Sequence, residues 1–217
     1  MLVSERMNRP VITVQPGMPI QDALDLMRRQ RVRRFPVVDE HGQLVGIVSE
    51  KDLLNASPSD ATSLSIWELH FLLSKITVGQ VMTREVISVG EDTPIEEAAR
   101  IMADNKIGGL PVVRGREIVG IVTETDVFGV FLEMLGARTA GVRASVLIAN
   151  QPGTLAALTK AVYGQGGNIL TLSTFLGESS LNSLITFKTE GVPLEKLKEA
   201  IRPSVVRIVD MRETKGA

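Results

Sequence analysis

The chain contains no cysteine among its 217 residues. Disulfide staples, thiolate metal sites and a cysteine nucleophile are therefore excluded. It has two histidines, His41 and His70, too few for most histidine-ligated metal sites. Aromatic residues make up 4% of the sequence, which leaves little for a base-stacking surface and passes the work of building a core to aliphatic side chains. Charge of one sign is also missing. Lys plus Arg number 24 and Asp plus Glu 25, a net charge of −1, which argues against a general nucleic-acid or membrane-surface binder. No apolar run approaches the ~20 residues of a membrane span. The first nine residues are charged with no apolar stretch behind them, so no secretory signal is expected, and the expectation is a soluble cytoplasmic protein.

What the sequence does hold is an internal repeat. Residues 3–38 align without a gap with 78–113, and 44–52 align with 118–126 after one residue is dropped from the intervening turn. Nineteen of these 45 pairs are identical. Met7/Met82, Pro19-Ile20/Pro94-Ile95, Ala23/Ala98 and Met27/Met102 are shared, as are Pro36-Val37-Val38/Pro111-Val112-Val113 and Gly46-Ile47-Val48/Gly120-Ile121-Val122. Each copy reads as a β-rich run (11–14; 86–89), a helix begun at Pro19 or Pro94, two strands close enough for a hairpin, and a short helix near Asp52 or Asp126. Neither copy is large, so the two are expected to share one core.

Between the copies, Leu64, Trp67, Phe71 and Lys75 fall at helical spacing. Trp67 reads more readily as packing than as a ligand-stacking platform. After Gly136 the pattern changes. The order of strand and helix signals from residue 140 to 212 is β-α-β-β-α-β, that of the ferredoxin-like motif. The expected domains are 1–55, a linker with helix at 56–76, 77–135 and 140–212, in an α/β (α+β) fold.

The chemistry concentrates in Gly46-Ile47-Val48-Ser49-Glu50-Lys51-Asp52 and Gly120-Ile121-Val122-Thr123-Glu124-Thr125-Asp126. A hydroxyl followed three residues later by a carboxylate is a helix capping box. It also suits ribose, because an ionised carboxylate can accept from both hydroxyls of a cis-diol. Both readings stay open on the residues alone. Residues 28–34 carry five arginines, whereas the matching 103–109 carry Lys106 and end in Gly108-Gly109. On the residues alone the arginines read as a solvated helix face or an RNA patch.

The duplicated unit, with its Pro-Val-Val strand and Gly-Ile-Val-(Ser/Thr)-x-x-Asp ending, resembles the CBS domain, and the two copies resemble the paired module that binds adenosine-containing ligands. The resemblance implies an adenine nucleotide or S-adenosylmethionine as regulatory ligand. Asp52 and Asp126 would hold ribose, Ser49 and Thr123 lie near ribose or phosphate, and Arg33, Arg34 and Lys51 take phosphate. Met18 and Ala23, or Thr93 and Ala98, would flank adenine. Unequal charge implies one phosphate-preferring cleft. Residues 140–212 resemble the ACT domain, on Asn150-Gln151-Pro152-Gly153 and Gly166-Gly167-Asn168-Ile169. That resemblance implies a homodimer and a small amino acid near Asn150, Gly153 and Asn168, although Asn150 also reads as a helix cap. The combination resembles the acetoin-utilisation regulators: a non-enzymatic sensor without catalytic residue, metal or cofactor, acting on an unidentified regulated protein, or alternatively a dimeric scaffold with vestigial sites. Neither nucleic acid nor membrane is expected as a partner.

Overall fold

The structure, a computed structural model, describes residues 1–56 and 75–216. The expected linker helix with Leu64, Trp67 and Phe71, and also His70, lies outside the described residues. The chain divides into two compact units, Met1–Val127 and Phe128–Ala217.

In the first unit each repeat builds the same set of elements. The first copy has α1 (Ile20–Gln30), β1 (Arg34–Val38), β2 (Leu44–Ser49) and α2 (Glu50–Asn55). The second opens with a single helical turn, α3 (Val78–Val81), and continues through β3 (Val89–Gly90), α4 (Ile95–Asn105), β4 (Gly109–Arg114), β5 (Glu117–Thr123) and α5 (Glu124–Met134), which runs past the unit boundary. β1 and β2 form an antiparallel hairpin, as do β4 and β5, each with an irregularity between the two valines of its Pro-Val-Val run.

The β-rich runs at 11–14 and 86–89 prove shorter than their composition suggests. Val14 makes a single parallel bridge to Val37, and β3 pairs with β4 over two residues. Prolines explain the stop. Val14 donates to the Pro36 carbonyl and accepts from Val38 N–H. Extending that ladder toward the N-terminus would require an N–H on Pro36, which proline lacks. Pro111 imposes the same end on the second copy.

Two contacts between the repeats account for two shared landmarks. A Cβ on Gly46 would run into the Met82 side chain, and one on Gly120 into that of Met7. The Gly of each Gly-Ile-Val motif thus leaves room for the other copy's methionine. Next to these, Ile47 bridges Thr83 and Asn8 bridges Ile121. The first copy's core gathers Ile20, Ala23, Met27, Phe35, Val37, Val48 and Leu53, all of them essentially inaccessible. Ile95, Ala98, Met102, Leu110, Val112 and Val122 are buried in the second.

The second unit contains β6 (Gly141–Ala149), α6 (Thr154–Gly164), β7 (Asn168–Leu176), β8 (Asn182–Glu190), α7 (Leu194–Ile201) and β9 (Arg207–Thr214). Its four strands are antiparallel in the order β7-β8-β6-β9. Val142, Ala144, Val146 and Ile148 alternate along β6 and pack with Ile185, Phe187, Leu158, Val162, Leu197 and Ile201. On β8, Lys188 is 2% exposed. Its Nζ donates to the Gly136 carbonyl at 2.6 Å and to the Thr139 carbonyl at 2.7 Å, tying down the turn that follows α5.

Candidate functional site

Each Ser/Thr-x-x-Asp motif forms where a strand passes into a helix. In the first copy Ser49 is the N-cap of α2. Asp52 Oδ2 accepts from Ser49 N–H at 2.8 Å and from the Ser49 hydroxyl at 2.6 Å, while Ser49 Oγ accepts from Asp52 N–H at 3.3 Å. The capping box is therefore present. Capping does not compete with ligand binding, because it fixes the carboxylate's direction through one oxygen, Oδ2. In the second copy Asp126 Oδ2 likewise accepts from Thr123 N–H at 2.8 Å and the Thr123 hydroxyl at 2.7 Å. There Oδ2 also accepts from Asn8 Nδ2 at 2.9 Å, a contact across 118 residues of sequence.

Two cavities open at these carboxylates, and each is lined by both repeats. The Asp52 cleft, about 620 Å³, takes Ser49, Glu50, Lys51 and Asp52 from the first copy. The second copy supplies Thr83, Glu85, Val86, Ile87 and the run from Asn105 to Gly109. The Asp126 cleft, about 390 Å³, reverses the arrangement, with Thr123, Glu124, Thr125 and Asp126 facing Asn8, Arg31 and Val32. Arg33 and Arg34 line both clefts. Burial pushes the Arg34 guanidinium below its ordinary pKa; the Glu124 charge raises it in part and the Arg33 charge lowers it further.

The expected site residues thus divide. Ser49, Lys51, Asp52, Arg33 and Arg34 meet in one cleft, and Thr123 and Asp126 meet the same two arginines in the other. Met18, Ala23, Thr93 and Ala98 do not line either cleft. Ala23 and Ala98 are fully buried on the inner faces of α1 and α4, so neither can touch a ligand without opening the core. Val86, Ile87 and Ile107 supply apolar wall instead. The arginines do not mark one cleft as phosphate-preferring by themselves, since both clefts reach them.

Asn8, Arg31 and Lys106 are among the lining residues that escaped the sequence reading. Asn8 lies far along the chain from its partner. Arg31 and Lys106 are the residues that close α1 and α4, with φ of 55° and 54°, left-handed conformations uncommon outside glycine. Each directs a cation-bearing residue to the cleft whose Asp belongs to the other repeat. The signal was present in the alignment, where Arg31 matches Lys106.

In the second unit, Asn150 Nδ2 donates to the Ser180 carbonyl at 3.1 Å, and Asn168 Nδ2 donates to Glu190 at 3.0 Å. Ser180 precedes β8 and Glu190 ends it, so the two asparagines sit at opposite ends of a nine-residue strand, about 25 Å apart at the usual rise. One small amino acid cannot touch both within one chain. Asn150 does not cap α6 either. Gly153 occupies that position with φ of +88°, a conformation that suits glycine.

A family model for the CBS domain matches residues 3–59 and 78–133, the two repeats. The chain belongs to the CBS-domain proteins. Among CBS relatives, the L-aspartate semialdehyde sulfurtransferase of Methanocaldococcus jannaschii is 34% identical over 131 residues, which cover 60% of this chain and 23% of that enzyme. The chain therefore spans about a quarter of that relative's length. Among solved structures, the CBS domain pair of protein MJ0100, in complex with 5-methylthioadenosine and S-adenosyl-L-methionine, is 33% identical with a TM-score of 0.51, covering 60% of this chain and 95% of that one. CBSX2 in complex with AMP gives 33%, 0.51, 60% and 96%. A Vibrio cholerae structure assigned as the acetoin utilization protein AcuB gives 32%, 0.53, 63% and 93%. Among the described residues no helix is long and apolar enough to cross a membrane.

Proposed function

We propose that the chain is a non-enzymatic regulatory protein whose CBS pair binds adenosine-containing ligands in its two clefts. The observation that carries this reading is the meeting of Asp52, Lys51, Arg33 and Arg34 around one 620 Å³ cavity walled by both repeats. A carboxylate held in place by its own helix cap suits the ribose diol, and the cations suit a phosphate or a carboxylate tail. Val86, Ile87 and Ile107 offer an apolar wall for adenine. The ligands in the MJ0100 and CBSX2 structures support the same chemistry. Because each cleft is built from both repeats, a bound ligand bridges them. It shifts their arrangement to the extent that it binds one arrangement better than another. Helix α5, whose first turn carries Asp126, is the route we assign toward the second unit.

The order β6-α6-β7-β8-α7-β9 with strand order β7-β8-β6-β9 supports reading residues 140–212 as a ferredoxin-like ACT domain. In that reading 1–55 and 77–135 are the CBS domains, the chain works as a cytoplasmic homodimer on a regulated protein, and an amino acid contacted by both Asn150 and Asn168 needs a second copy of the chain. The acetoin-utilisation resemblance has its support in AcuB.

Calorimetry of the full chain with AMP, ADP, ATP, S-adenosylmethionine and their 2′-deoxy forms tests the sensor reading. Binding of at least one ligand, weakened by loss of the 2′-hydroxyl and by Asp52→Ala, is expected. Silence across the whole panel would leave the dimeric scaffold as the better reading.

A further inference from the structure

The alignment sets Arg33 and Arg34 against Gly108 and Gly109, and the fold brings these four residues together. A Cβ on Gly108 would collide with the Arg34 guanidinium and lie 2.9 Å from Glu124 Oε2. One on Gly109 would meet the same guanidinium, with Arg34 Cδ at 3.2 Å. Arg34 therefore fills the space that the second repeat leaves by having no side chains there.

Both clefts reach Arg33 and Arg34, and the rest of their charge is private. Apart from these two arginines, the Asp52 cleft sets Lys51 and Lys106 against Glu50, Asp52 and Glu85. The Asp126 cleft sets Arg31 against Glu124 and Asp126. Each private set carries one excess negative charge, so neither attracts an anion without the shared pair. A guanidinium pair engaged in oriented bonds to one phosphate is not free to face another. One feature biases the pair toward the Asp52 cleft: Glu124 already stands beside Arg34 on the Asp126 side, where it competes with a bound phosphate for that guanidinium.

We propose that Arg33 and Arg34 form a single anion anchor shared by the two clefts, so that a phosphorylated adenosine ligand in the Asp52 cleft weakens a second one in the Asp126 cleft. The proposal rests on reading the clefts as adenosine sites. It adds negative coupling between them: one phosphate per chain is bound tightly, and the Asp126 cleft favours adenosyl ligands without phosphate. Linkage makes the effect reciprocal, and coupling of this kind typically changes affinity about 5- to 150-fold.

The test titrates the full chain with AMP and with adenosine by calorimetry. AMP is expected to bind in two steps, the second at least about fivefold weaker. In Asp52→Asn, which disables the first cleft, the remaining cleft should bind AMP at least about fivefold more tightly than the second step of the unmodified chain, with no such gain for adenosine. Arg34→Ala is independent of that variant's folding: it should narrow the ratio between the AMP steps to the adenosine ratio. An unchanged Asp126-cleft affinity in Asp52→Asn, or an unchanged ratio in Arg34→Ala, overturns the sharing. Equal and independent AMP steps in the unmodified chain do the same while leaving the adenosine reading intact. Failure of both AMP and adenosine to bind overturns that reading, and the coupling with it.

Discussion

Arg34 of the first repeat lies against Gly109 of the second, in a space that a single methyl group would close. Gly109 is buried on β4, and the Val122 carbonyl on β5 sits 3.1 Å from where its Cβ would be. Gly109→Ala should therefore destabilise the first unit by about 1–2 kcal/mol, as overpacking does. Part of that loss should vanish in the double variant Gly109→Ala/Arg34→Ala. Urea unfolding of the two singles and the double gives the coupling directly, and strict additivity would mean that the contact carries no energy.

Lys106 and Arg31 trade stability for charge placement. Their left-handed φ angles, 54° and 55°, cost a side-chain-bearing residue about 1–2 kcal/mol relative to glycine. Lys106→Gly should raise the melting temperature and lower AMP affinity at the Asp52 cleft. If stability fell instead, the strain assigned to this cap would be wrong.

Lys188 is a buried cation whose bonds go to two backbone carbonyls, Gly136 and Thr139. Lys188→Met keeps much of the volume and leaves both carbonyls without that donor. A loss of about 1–3 kcal/mol is expected. Faster amide exchange at residues 137–141 should accompany it, and unchanged exchange there would show that the turn is held by something else.

Acid should weaken the first unit partly through Glu91. Arg114 donates to both Glu91 oxygens, at 2.6 and 2.8 Å, and holds this carboxyl below its ordinary pKa. A carboxyl depressed by folding contributes stability above its unfolded pKa. That contribution is lost as pH falls through the lower folded value. Stability plotted against pH should therefore drop less steeply on the acid side in Glu91→Gln, with little change at neutral and alkaline pH beyond a constant offset. The pair is exposed to solvent, so the effect should be small and should shrink further with added salt.

Much of the molecule was legible because local rules and tertiary structure agree. The hairpins at Pro36-Val37-Val38 and Pro111-Val112-Val113, the cap at Ser49, and the helix at 194–201 follow from spacing and residue type. The β-run at 11–14 was overestimated because β propensity says nothing of the partner strand, and the partner strand carries Pro36. Ala23 and Ala98 were drawn toward a ligand by resemblance, although their helical spacing with Ile20 and Ile95 already placed them inside. Asn8 could not be found locally, since its partner Asp126 is 118 residues away. Asn150 and Asn168 looked related through the family pattern, and the antiparallel register of β8 with β6 and β7 is what separates them.

The Arg34–Gly109 contact also bears on how such a module can be assembled. Residues 34 and 109 are equivalent positions of one repeat. Two identical copies associating as separate chains would place the same residue on both sides of the contact: two guanidiniums competing for one space, or two glycines leaving it without a cation. Holding one arginine there requires the two copies to differ in sequence. The duplication is thus more than an economical way to build a larger core, because joining the copies in tandem lets one chain carry that asymmetry at a single pair of equivalent positions.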